Sequence, residues 1–508
     1  MPLAIALAAA IGGAGVAWHY HRLGLTLSHY DARGHLVVAR HIADSLTPGW
    51  QQIGAVWLPL PHLLNALPVQ LDLFYRTGAS AVAISIASYA IAAGAIAWIV
   101  FALTGSIAAS AAGAAVFALN PNVLYLQSTP MTEPLLLSTT TLAVAMMIAW
   151  CQTALTGCAT FDHGPPEGGH DVLPVRCAAL QGRHVGWAFA FACVTRYEAW
   201  PVTVSALVAA AWTRWRRGQR AADVVRDVSR IAVYPAVSIV GFAIFSRVVV
   251  GEWFLSNGFF VPENKALGDP RLALAEIGWG VRMLSGPLLT WIGAAGVATA
   301  AALGLASRRR ADALLVVSLM AMAAIPWVAF LDGHPFRIRY MVPLTAVQGV
   351  GAGLLAGLAP PRRYLRTLVT VALLGVATYE LRPLDASAPM VVEAQWDRPN
   401  APVRARVTAC LGPPARGVKI MASMGSLGHY MQETSRSGFA LRDFLHEGNG
   451  DIWLAALEGP RPFAEWLMIE EKAEGGDMLA QIARAKPAFL TGYDRVCEGA
   501  GLALYRRH

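Results

Sequence analysis

SHYDARGHLVVARHIADSLTPGWQQIGAVWLPLPHLLNAL, residues 28–67, separates the first apolar run from VQLDLFYRTG (69–78), which leads into the second. It is too polar to cross a bilayer and too apolar for a solvated loop. Leu36, Val37, Ile42, Ala43 and Leu46 recur at near-helical spacing, while Arg33, Arg40, His41 and Asp44 fall mostly elsewhere. That pattern predicts a short amphipathic helix lying in the membrane interface, with His35 and His41 at its surface. Trp50, Trp57, Pro59 and Pro61 suit a bent segment at headgroup depth, where amphipathic rings prefer to sit. Asp31 stands where the chain leaves the membrane, and low dielectric penalises its charged form. Taken alone, this stretch makes Asp31 a helix N-cap.

The chain has 508 residues, of which 56% are hydrophobic and only 14% charged. Soluble chains carry about a quarter charged residues. With a mean hydropathy of +0.47 and recurring runs long enough for a ~30 Å hydrocarbon layer, a single soluble domain is excluded. The net charge of +8 resides mostly in arginines of short loops, and no nucleic-acid-binding motif accompanies it. The N-terminal MPLAIALAAAIGGAGVAWHY has an Ala-rich run but no basic n-region, so it is read as a retained first span.

Eleven spans are expected, at roughly 2–19, 79–103, 106–120, 134–152, 180–196, 198–213, 231–250, 286–306, 312–331, 340–358 and 367–383. Arg214, Arg216, Arg217, Arg220, Arg226 and Arg230 then share one side with Arg308, Arg309, Arg310, Arg362, Arg363 and Arg366. By the positive-inside tendency that side is the cytoplasm. The first loop (28–78), the loop bearing Glu133, the 251–285 loop and everything beyond Leu384 share the outer side. The Gly/Pro-rich connector 153–183 holds Asp162, His163, His170, Asp171 and Cys177, whose spacing matches no metal site.

Residues 384–508 change character and read as a small α/β domain outside the membrane half, 1–383. VKIMASMG, WLMIEE, PAFLTGYD and LALYRR read as strands, GSLGHYMQET and DMLAQIARA as helices. MGSLGHY lacks a full phosphate-binding fingerprint, and its glycines are assigned to close packing. RDFLHEGNGDIW carries Asp443, His446, Glu447 and Asp451, which a polar Gly/Asn turn explains. Cys410 and Cys497 lie in the oxidising compartment and are expected to form a disulfide. Cys151, Cys158 and Cys177, at or near the cytoplasmic side, and Cys193, within a span, are expected reduced.

A second isolated carboxylate changes the reading of Asp31. In NPNVLYLQSTPMTEPLLLS (120–138), Glu133 directly precedes an apolar run at the same face of the membrane. Ser128, Thr129, Thr132, Pro130 and Pro134 also permit an ordinary helix start. Two such acids can converge to bind a metal ion or to divide acid–base work.

The order of these features resembles the GT-C membrane glycosyltransferases, closest in pattern to the protein O-mannosyltransferase and lipid A aminoarabinose transferase group. The resemblance rests on the acid in a long first loop, the Trp/Pro-rich segment after it, PNVLYLQSTPMTEPL (121–135), TRYEAWP (195–201) and RIRYMVPL (337–344). It covers about residues 1–383. It implies a multi-span helical fold in the plasma (bacterial inner) membrane, with the C-terminal domain extracytoplasmic. The implied reaction is an inverting sugar transfer from a polyprenyl-phosphate-linked donor to an acceptor glycan, lipid or protein. Asp31 matches the base or acceptor-holding acid, and Glu133 the second-loop acid that orients the acceptor or shares a divalent cation (Mg or Mn) with Asp31.

Arg196, Arg337 and Arg339 are the cations expected to meet the donor phosphate, and His35, Trp57 and Tyr340 to line the substrate. Arg196 and Glu198 equally suit a structural clamp. Two departures stand out. Ala32 follows Asp31 where the group often has a second acid, and VWLPLPH (56–62) has no Lys before its prolines, which passes that contact to His62 or an arginine. The 251–285 loop is expected to act as a lid. The rival readings are a transporter or flippase, for which no internal repeat is present, and a non-catalytic assembly partner.

Overall fold

The computed structural model describes residues 1–54, 56–156, 172–249, 251, 253, 264–360 and 364–508. The apolar α1 (Pro2–Arg22) is followed by α2 (Tyr30–His41) and two short helices of the first loop, α3 (Leu60–Asn65) and α4 (Asp72–Thr77). Then come α5 (Ala79–Thr104) and α6 (Ile107–Ala118), where Ser106 caps α6 by accepting from the Ala109 N–H. Asn120 starts α7 (Pro121–Leu126) in the same way, accepting from the N–H groups of Asn122 and Val123. The chain continues through α8 (Glu133–Thr156), α9 (Val172–Cys193), α10 (Ala199–Arg216), α11 (Ala221–Val249), α12 (Pro270–Ser285) and α13 (Pro287–Ala306). A 3₁₀ helix over Arg308–Ala323 runs into α14 (Ala324–Leu331), another over Ile338–Leu344 runs into α15 (Thr345–Leu358), and α16 (Leu365–Glu380) ends the membrane half.

All eleven expected segments are helical. Among the described residues, seven helices are long and apolar enough to cross a membrane: those of α1, α5, α8, α11 and α13, and the segments 308–331 and 338–358. α6 is apolar but shorter. The chain is a multi-pass membrane protein. Its centre is α15, where small residues replace bulk so that backbones meet. Gly296 of α13 lies against the Gly351 backbone, and Gly113 of α6 against Gly349 and Gly353, leaving no room for a Cβ at these crossings.

The arginine-rich loops gather at one end. Arg217 bonds the carbonyls of Cys151, Arg308 and Arg309 and pairs with Asp312 at 2.9 Å, while Arg216 bonds the Leu305 carbonyl. The first loop and the C-terminal domain share the other end. Arg362, Arg363, residues 254–263 of the expected lid, and Cys158, Asp162, His163, His170 and Asp171 lie outside the described residues.

Beyond α17 (Pro389–Glu393) the C-terminal part contains, in order, α18 (Ala401–Cys410), β1 (Ile420–Ala422), α19 (Met424–Thr434), β2 (Phe444–Leu445), α20 (Asp451–Glu458), β3 (Trp466–Glu470), α21 (Met478–Ala485), β4 (Tyr493–Gly499) and β5 (Leu502–Arg507). The strand order is β2-β1-β3-β5-β4, with β1 parallel to β2 and β3, and β5 antiparallel to β3 and β4. Two expected strands are corrected. Within PAFLTGYD, Pro487–Leu490 is a 3₁₀ turn and the strand begins at Tyr493; within VKIMASMG, α19 begins already at Met424. In RDFLHEGNGDIW the polar residues form a 3₁₀ turn over Glu447–Asn449, with His446 fully buried and Glu447 accepting from the Ser423 hydroxyl and the Met424 N–H at the start of α19.

The expected interfacial helix is corrected too. α2 is buried on every face, His35 and His41 included. Its apolar residues Leu36, Val37 and Ala39 join Ile420, Leu427 and Tyr430 of the C-terminal domain in one core. Arg33 on its polar side pairs with Asp397 and Glu433 rather than with headgroups. The His41 ring stacks on His446 at 4.3 Å.

Cys410 and Cys497 form a disulfide between α18 and β4, with Cα atoms 6.5 Å apart. Cys410→Ser should cost about 2–4 kcal/mol of stability, read as a lower thermal midpoint of the purified chain. Non-reducing peptide mapping of the unaltered protein should recover both cysteines in one linked fragment.

Candidate active site

Asp31 lies in the first turn of α2, but it is not the cap. His29 caps the helix, its Nδ1 accepting from the Asp31 N–H at 3.1 Å. The Asp31 carboxylate is thereby free for another partner, and it pairs with Arg339. Arg339 is carried by the 3₁₀ segment before α15, and its guanidinium also lies 5.3 Å from the Tyr340 ring and 6.0 Å from that of Tyr30. Glu133 opens α8 and is completely buried. Arg196, on the turn between α9 and α10, donates to Glu133 Oε1 at 3.0 Å and to the Thr132 hydroxyl at 2.9 Å. Its other edge grips Glu198 at 2.7 Å. Arg196 is a clamp on two acids, and these acids outweigh burial to raise its pKa. Glu133 Oε2 has no hydrogen-bond partner among the described residues.

Two histidines link the first loop to this pair. His62 Nδ1 lies 3.1 Å from the Leu58 carbonyl, which can only accept, so that nitrogen carries the proton. Its Nε2 therefore accepts from His35 Nδ1 at 3.1 Å. Both nitrogens of His62 are engaged, leaving none for the phosphate contact expected from the sequence. Its role in the fold is to orient His35, whose ring also packs on Trp57 at 4.1 Å. Burial pushes His62 down to about 4, and burial, His62 and Arg196 hold His35 well below the usual histidine range. Both rings are neutral at pH 7. His35, Pro61, Asn65, Ser85, Pro130 and Thr132 line a cavity of about 20 Å³ between the first two loops.

A fourth acid completes the cluster, and sequence reasoning missed it. Glu393 ends α17 and is buried, 3.5 Å from His29 Nε2. Burial works to raise its pKa, but His29 and Arg339 outweigh burial and hold the carboxyl below its usual range. Glu393 lies within electrostatic reach of both Glu133 and Arg337, and Tyr340 of both Arg196 and Arg339. Glu393 and Tyr340 thus feel the charges of both the Asp31–Arg339 pair and the Arg196–Glu133 clamp. Nothing in VVEAQWDR (391–398) distinguishes Glu393 from an ordinary surface acid; the only signal is an acidic residue amid valines.

The residues present do not fit the divalent cation that the resemblance implies. Asp31 and Glu133 each face a separate arginine, and the described residues contain no group of three His, Cys, Asp or Glu able to hold a metal.

No family model and no curated protein matches this chain. Its fold, however, is that of the GT-C membrane glycosyltransferases. It is similar to ArnT from Cupriavidus metallidurans bound to undecaprenyl phosphate, with a TM-score of 0.54 at 15% identity over 97% of each chain. The apo state of that protein gives 0.52 at 13% identity over 98% of each chain. The apo form of the Archaeoglobus fulgidus oligosaccharyltransferase gives 0.53 at 10% identity, covering 92% of this chain and 70% of that one. Likeness at such identities establishes the fold.

The buried rings make stability depend on pH. Burial lowers His62 and His446 from the ordinary histidine value of about 6.5 to about 4 in the folded chain. Between those values the unfolded chain binds more protons, so stability falls as the pH drops through that window. Each fully buried ring contributes a slope of up to about 1.4 kcal/mol per pH unit. The thermal midpoint should decline from near pH 6.5 downward, and more shallowly in His446→Gln.

Proposed function

We propose that this chain is an integral-membrane glycosyltransferase acting on the outer face of the plasma membrane. In this reading it crosses the bilayer eleven times and holds its C-terminal domain outside. It moves a sugar from a polyprenyl-phosphate-linked donor to an acceptor hydroxyl or amine, with inversion. The observation that carries the reading is the largely buried Asp31–Arg339 pair, together with the Arg196–Glu133 clamp. The fold supports it, as does the undecaprenyl phosphate bound by the similar ArnT.

A donor phosphate is a second anion competing for the Arg339 fork, which suits phosphate oxygens as well as carboxylates. When Arg339 turns to the phosphate, assisted by Arg337, Asp31 loses its partner and becomes a stronger base. The acceptor oxygen or nitrogen attacks the anomeric carbon and its proton passes to Asp31. The bond from that carbon to the phosphate oxygen breaks, and its electron pair leaves on the polyprenyl phosphate, whose growing charge Arg339 absorbs. One displacement inverts the centre. Glu133, held by Arg196, offers Oε2 to orient the acceptor. The Trp57–His35 pair offers an aromatic face to the sugar, and Tyr340 supports Arg339. The segment 251–285, with the amphipathic α12, serves as the lid. Against the transporter reading, the buried Asp, Glu and Arg side chains among the described residues sit at helix ends and in loops, or in the C-terminal domain, not at mid-span.

With purified protein and polyprenyl-phosphate sugars, Asp31→Asn and Glu133→Gln should each slow release of polyprenyl phosphate, by about 10²–10⁴-fold for the base. Unchanged rates would overturn the assignment. Donor movement across liposomes without covalent change would favour the transporter.

A further inference from the structure

At the end of the bundle opposite the candidate active site, the ends of α5, α8, α13 and α15 meet the start of the 308–323 helix around a cavity of about 280 Å³. That volume equals about nine waters. One wall is polar, with Arg217, Arg309, Arg310 and Asp312; the other is apolar, with Leu303 and Leu358. The charges are not equivalent. Arg217 is consumed by Asp312 and by three backbone carbonyls, and Asp312 also accepts from Gln152 at 2.7 Å. The guanidinium groups of Arg309 and Arg310 have no hydrogen-bond or ion-pair partner among the described residues, and both residues are exposed at the mouth. Two uncompensated guanidinium groups thus face a space walled by leucines, at the level where candidate spans end. An amphiphile with an anionic head matches that combination, and guanidinium forks favour phosphate.

We infer that this cavity is a binding site for the phosphate of an anionic glycerophospholipid. The phosphate is held by Arg309 and Arg310, with the glycerol and first acyl carbons against Leu303 and Leu358. It lies at the face away from the proposed transfer and does not depend on that reading.

Native mass spectrometry of the full-length protein in detergent, titrated with phosphatidylglycerol, tests this. Phosphatidylcholine and inorganic phosphate form the parallel arms. Phosphatidylglycerol should be retained where phosphatidylcholine is not, and should bind about tenfold more weakly to Arg309→Ala/Arg310→Ala. Leu303→Trp, which fills the cavity and keeps every charge, should weaken it comparably. Competition by millimolar inorganic phosphate would assign the site to the free anion and overturn the lipid as its ligand. Undiminished binding by both variants would overturn the site. So would an equal loss in Arg226→Ala/Arg230→Ala, whose charges lie on α11 away from the cavity.

Discussion

The pairing of Asp31 with Arg339 joins the first loop to a segment some three hundred residues later. Neither charge can be left alone at such burial, because an unpaired ion in low dielectric costs several kcal/mol. Their mutual need fixes the start of α2 against the helix that leads into α15. It also brings Tyr30, Tyr340, His29 and Glu393 into one neighbourhood.

A second ionic network performs the same service for the C-terminal domain. Arg404 makes two bonds to Asp397, at 2.6 and 2.7 Å, and two to Glu433, at 2.7 and 2.8 Å. Arg33 of α2 reaches the same two acids. Burial and the neighbouring Arg404 bring the Arg33 pKa down to about 10, which leaves it cationic at neutral pH. The domain is therefore docked on α2 through shared carboxylates as well as through the apolar core around Leu36 and Tyr430. Glycosyl transfer, as proposed, would take place under a roof built by another part of the chain.

Much of this was legible in the residues. The helical segments announced themselves by length and apolarity, and the arginine loops by where they fell. Asp31 and Glu133 stood out because isolated carboxylates at membrane boundaries need a reason, and Arg196 and Arg339 because they flank spans at the same end. What escaped was whatever depended on tertiary partners. Periodicity revealed the apolar face of α2 but could not say that Glu433 and Asp397 would cover Arg33 on the other. Glu393 carried no local mark, since its meaning comes from His29 and Arg339. β2 has two residues, too few to show an alternation, and the 3₁₀ turn at Pro487 broke an apolar run that otherwise reads as strand.

The order in which the chain is made adds one consequence. His29 and Arg33 leave the ribosome early, yet Glu393, Asp397 and Glu433 are among the last quarter to be translated. Until those acids emerge, α2 has only half of its electrostatic company. The cluster therefore matures after insertion of the helices is over, and a nascent chain stalled before its C-terminal domain would carry only part of the candidate site.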